Sequence, residues 1–130
     1  MKIAAIIART LLGLAFIVFG LNIFLHFMPS PPMSGPPADF FNVVAMESHY
    51  FLMVGFFEVL GGLLALSGRF TPLGLTILAG VGVNILTFHA TLTGYHGIGM
   101  GVAFGVLELF CIYVYRANFA GIFSAAVVSE

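Results

Sequence analysis

Apolar residues run along this chain in stretches too long and too unbroken to be the buried stripes of a soluble protein. From Ile3 to Met28 the single charged residue is Arg9, and similar runs follow at about 49–67, 72–93 and 98–116. A hydrocarbon core about 30 Å thick takes roughly 20 apolar residues at about 1.5 Å per residue, so the pattern predicts four membrane helices, at about 3–28, 49–67, 72–93 and 98–116. The first run follows Lys2 as a signal peptide would, but it is too long and lacks a small-x-small cleavage site before Pro29, so it is expected to be retained. Between the second and third runs lies Gly68-Arg69-Phe70-Thr71-Pro72, in which Gly ends one helix and Pro opens the next. Gly94-Tyr95-His96-Gly97 plays the same part between the third and fourth.

The first connection is different. Met28 to Ala38 holds five of the six prolines, and proline removes a backbone donor and fixes φ, which predicts an extended, polyproline-like cover. Asp39 is then expected to N-cap a short interfacial helix from Phe40 to Glu47. The expected architecture is all-α: one domain over residues 1–130, an integral membrane four-helix bundle with a Pro-rich outer loop and a short interfacial helix between helices 1 and 2.

Composition agrees with this reading. Charged residues make up 7% of the chain against 61% hydrophobic, where a soluble domain has about a quarter charged. With a net charge of −1 and no basic cluster, nucleic acid is excluded as a partner. The single cysteine, Cys111, permits neither an intrachain disulfide nor a C-x-x-C motif. Lys2, Arg9, Arg69 and Arg116 lie near the N-terminus, the second turn or the end of the fourth run, while the other two connections carry no Lys or Arg. Because such residues concentrate in cytoplasmic loops, both termini are expected to be cytoplasmic, in a bacterial-type inner membrane. His26, His49, His89 and His96 then share the outward side.

Polar groups within the spans carry the chemistry, since an ionisable side chain near the bilayer centre costs at least about 2.5–3.5 kcal/mol and must face protein or water. Glu58 and Glu108 fall near the middle of the second and fourth spans. Arg9, about two turns into the first, is the obvious partner for a structural ion pair: Arg9 and Glu108 are the expected pair, while depth alone leaves Glu58 open as the alternative. Asn22 and His26 share a face of the first helix, and Asn84 and His89 lie toward the outer half of the third. Asn22, His26, Glu58, Asn84 and His89 are therefore the candidate ligand-binding residues, weighed against interhelical hydrogen bonding for the two asparagines. No metal site is expected, because no helix pairs strong ligands at i, i+3 or i, i+4. Glycines at 55 and 62, and at 97, 101 and 105, put both carboxyls on closely packed helix faces.

Four segments in order resemble the DoxX family of small four-helix membrane proteins: Arg9-x-x-x-Gly13 with Phe19-Gly20-Leu21-Asn22, the Phe27-Met28-Pro29-x-Pro31-Pro32-Met33-x-Gly35-Pro36 loop, Glu58-Val59-x-Gly61-Gly62-Leu63-Leu64 with Arg69-Phe70-x-Pro72-Leu73, and Val83-Asn84-Ile85-x-x-Phe88-His89. The resemblance implies the four-helix fold and an association with quinone reduction or thiol oxidation in membrane redox complexes. Two functions are expected, the first from the polar residues that could converge in an apolar bundle together with the resemblance, the second from the lack of a cofactor motif, nucleophile constellation or dithiol together with the glycine stripes. One is a redox-associated subunit holding a quinone or similar small lipophilic molecule inside the bundle, working with a membrane redox partner. The other is a non-enzymatic scaffold or partner subunit. The resemblance fixes no cofactor and no catalytic residue, and a homo-oligomer is compatible with either function.

Overall fold

The computed structural model describes residues 1–125, and every regular element among them is helical. Helix α1 (Lys2–Leu25) leads through the proline-rich segment to a short α2 (Pro36–Phe41). The chain then widens into a π-helical turn (Asn42–Glu47) and continues as α3 (Tyr50–Ser67), α4 (Thr71–Thr91) and α5 (Ile98–Val114), with a 3-10 segment, Arg116–Phe123, after it. Three helices, α1, α3 and α4, are long and apolar enough to cross a membrane. A fourth crossing requires α5, 17 residues long, to be counted with the segment that follows at an 84° bend. The chain is thus built as a multi-pass membrane protein. Its four long helices form a ring, in which α1 and α4 each pack against both α3 and α5.

Glycine decides how closely α1 and α3 approach. A Cβ added to Gly13 would lie 2.8 Å from the Gly62 carbonyl oxygen, and one on Gly62 would lie 2.7 Å from that of Gly13. Seven residues along, Gly20 and Gly55 repeat this reciprocal contact at 2.8 and 3.1 Å. The two backbones touch because no side chain stands between them, which supplies dispersion contacts in lipid, where no hydrophobic drive joins helices. Leu12 and Phe16 of α1, Leu75 and Leu78 of α4 and Cys111 of α5 fill the remaining centre as fully buried side chains.

The helix ends follow local chemistry. His26 adopts a left-handed backbone (φ 52°) and returns its N–H to the Asn22 carbonyl at 2.8 Å, so α1 stops short of the expected Met28. Gly68, at φ 72°, ends α3, and Pro72 lies in the first turn of α4, as the sequence implies. Asp39 is not an N-cap. Helix α2 begins earlier, at Pro36 and Pro37, and its N-cap is Gly35. Proline suits a first turn, where its missing N–H would have no intrahelical partner, so these two prolines open the helix instead of prolonging the loop. At the other terminus α5 ends at Val114, short of 116. The chain folds back and seats Phe119, 5% exposed, in the core.

Candidate functional site

Between the helices, at the end of the bundle where α1 finishes and α3 begins, lies a cavity of about 740 Å³. Its floor is Glu58, which lies about 12 Å along α3 from Tyr50 at 1.5 Å per residue. Its walls are apolar and aromatic, including Phe19, Ile85 and Phe104, and its cover is formed by Met28 to Pro31 with Phe41, Ala45 and Met46. Phe41 stacks edge-on against Phe51 at 5.2 Å between ring centres, which fixes the short helix to the start of α3. The proline-rich segment and α2 therefore act together as a roof.

Four polar side chains in the lining have defined roles. Glu58 is 6% exposed, and its Oε2 is buried with no hydrogen-bond partner among the described residues. Gly20 allows it to be there: a Cβ on that glycine would lie 2.9 Å from the Glu58 Cβ. Asn22 accepts a 2.7 Å hydrogen bond at Oδ1 from the Met28 N–H. That bond anchors the start of the roof and, by fixing which amide atom is the acceptor, leaves the Asn22 NH₂ a donor with no partner among the described residues. His89 Nδ1 lies 2.7 Å from the His96 carbonyl oxygen and 3.3 Å from Thr93 Oγ1. A carbonyl only accepts, so Nδ1 carries the proton, and in the neutral ring Nε2 is a bare acceptor. His26 lines the mouth as the exposed cap of α1.

No family model, curated protein or solved structure matches the chain.

Four of the five residues singled out as ligand contacts thus line one cavity: Asn22, His26, Glu58 and His89. Asn84 does not. It is exposed on α4 and donates from Nδ2 to the Gly80 carbonyl one turn back at 2.9 Å, because the rotation of α4 that turns His89 inward turns Asn84 outward. His49 and Ser48 line the cavity as well but were not among the sequence candidates. Their only sequence signal is His49's place among the four histidines expected on one side.

The expected ion pair is not formed. Arg9 reaches toward the α3–α4 turn, where its guanidinium packs against Gly68 and Nη1 donates to Thr71 Oγ1 at 3.5 Å. Glu108 instead turns toward α4, into the space that Gly82 leaves open; a Cβ there would lie 3.5 Å from Oε2. Arg9 Nε and Glu108 Oε1 are both buried without a partner among the described residues. Among the described residues no three His, Cys, Asp or Glu side chains group as a metal site.

Proposed function

We propose that this protein is a DoxX-like subunit of a bacterial-type inner membrane, with both termini cytoplasmic, and that the cavity above Glu58 holds a quinone or a similar small lipophilic molecule. The carrying observation is a buried, unpartnered carboxyl at the base of a largely apolar cavity whose other lining groups supply complementary hydrogen bonds. Such a composition, apolar walls with a few convergent polar groups, is that of a small-molecule site. A quinone carbonyl would accept from the Asn22 NH₂ or from protonated Glu58. A quinol hydroxyl would donate to His89 Nε2 or to ionised Glu58. Reduction of the ring takes two electrons and two protons. In this reading a membrane redox partner supplies the electrons; one proton comes from protonated Glu58, and the second from His89 once its Nε2 has taken up a proton from water at the mouth.

The test is titration of a quinone analogue into purified protein, wild type and Glu58→Gln. Glutamine preserves volume but cannot exchange a proton, so the expected result is retained but weaker binding and loss of redox coupling to a reduced partner. Binding and coupling both unchanged would end this reading.

A second reading, a scaffold or partner subunit, has its own observation. Thr76, Gly80, Asn84, Thr87 and Thr91 are all exposed and share one face of α4, a helix long and apolar enough to span. Among the described residues Thr76, Asn84 and Thr91 satisfy their side chains only within α4, on the carbonyls of Pro72, Gly80 and Thr87. Small and weakly polar faces of this kind join helices in lipid, and this one would receive a second copy or another membrane subunit.

A further inference from the structure

The opposite end of the bundle holds a second cavity, of about 520 Å³, that the proposed quinone site does not use. It is enclosed by the first turns of α1, the α3–α4 turn and the chain that bends back after α5, and it brings together Lys2, Arg9, Thr71, Tyr115 and Asn118. Two cationic side chains line it and, among the described residues, no carboxylate does. Among the described residues Arg9 has its Nε buried and unpartnered, and its single side-chain hydrogen bond, to Thr71, is 3.5 Å long. Gly68 is required here twice over: it takes φ 72°, and the guanidinium occupies the place where a side chain would stand. A guanidinium held in place this way, with donors to spare, is arranged for an oxyanion that Arg can bind with two parallel hydrogen bonds. The start of α4 borders the same space with Phe70, Thr71 and Pro72, adding the positive end of a helix dipole. Ile6, Pro72 and Val114 supply an apolar side to the cavity, which suits an anion carried on a hydrocarbon chain.

We propose that this cavity binds a phosphate-bearing anion, with the phosphate between Arg9 and Lys2 and its remaining oxygens within reach of Thr71 and Asn118. A phospholipid headgroup and free inorganic phosphate share this chemistry, and the experiment separates them. The full-length protein in mild detergent is titrated with short-chain phosphatidylglycerol, phosphatidylcholine or inorganic phosphate and read by native mass spectrometry. The expected result is preferential retention of phosphatidylglycerol over phosphatidylcholine, with Lys2→Gln and Arg9→Gln each weakening it by about fivefold, the share of one basic residue at an anionic surface. Arg9→Lys retains charge but not the planar fork and should recover only part of the loss. Phosphate binding that competes with the lipid and shows the same dependence on Arg9 would assign the site to the free anion. Equal retention of the two lipids with no phosphate binding, or losses absent in both Gln variants, would overturn the proposal. Lys2 is exposed and at the helix start, so Lys2→Gln still decides the matter if Arg9→Gln fails to fold.

Discussion

His89 and Gly68 show how single positions constrain the chemistry at the two ends. The His96 carbonyl fixes the His89 proton on Nδ1, so removing the ring nitrogen that remains should cost a ligand one hydrogen bond, about 1 kcal/mol. His89→Phe is expected to weaken quinone-analogue binding about fivefold, while His89→Gln, which retains an acceptor, loses less; titration by intrinsic fluorescence quenching measures both. Equal affinities for wild type and His89→Phe would remove the histidine from the site. At Gly68 a left-handed backbone costs a side-chain-bearing residue roughly 1–2 kcal/mol. Gly68→Ala should therefore lower thermal stability in detergent by at least that much, since Arg9 must also move. Glu58 and Asn22 were legible in the sequence, because a polar group deep in an apolar run has to face protein. Asn84 escapes that rule by bonding to its own helix while facing outward, and the sequence offers no way to tell the two outcomes apart. The absent Arg9–Glu108 pair has a related cause: depth along a helix can be counted from residue numbers, but contact depends on the rotation of two helices about their axes.

The long helices are legible in the chain to within a few residues at their ends, because length and continuous hydrophobicity mark them without tertiary information, but only three of the four predicted spans are long enough to cross alone, α5 needing the bent segment after it. What could not be read were the devices that act across elements: Pro36 and Pro37 opening α2, Phe119 folded back into the core, and the roof tied to α3 by Phe41 and Phe51. Such contacts join segments that carry no shared local pattern. The α1–α3 seam gives the sharpest prediction of this kind. Gly62→Val would drive a branched side chain into the Gly13 carbonyl and the Ile17 side chain. Overpacking of this sort costs about 1–3 kcal/mol. A lowered unfolding temperature is expected for Gly62→Val and again for Gly20→Val, which also displaces Glu58 and should weaken ligand binding, whereas Gly62→Val should weaken it less. On α4 the two functional readings part company. Asn84→Leu lies outside the cavity, so it should leave analogue binding unchanged and, if α4 is a docking face, reduce crosslinked oligomer or the recovery of a companion subunit. Analogue binding that falls in Asn84→Leu would contradict the geometry that turns Asn84 away from the cavity.

The molecule as a whole is polar along its long axis in a way that no single helix displays. One end gathers Lys2, Arg9, the α3–α4 turn that contains Arg69, and the end of α5 that leads to Arg116; the other gathers His26, His49 and His89 around the roofed cavity. A bundle with all four Lys and Arg residues at one end should insert with that end in the cytoplasm, because basic residues near span ends resist translocation. The ligand mouth would then open toward the outer leaflet and the proposed phosphate cavity toward the inner one. The lone cysteine makes this testable. Cys111 is fully buried in the core, so a Cys111→Ala background should remain folded at the modest cost of a small cavity and provides a blank for labelling. Single cysteines at Ser30, in the roof, and at Ser67, beside the α3–α4 turn, are both exposed positions on opposite ends. An impermeant maleimide added to intact cells is expected to label Ser30→Cys and spare Ser67→Cys until the membrane is opened. The reverse pattern would invert the molecule and place the proposed quinone cavity on the cytoplasmic side. Labelling of both from outside would show that the two ends are not separated by a bilayer, and the membrane reading of the fold would fail with it.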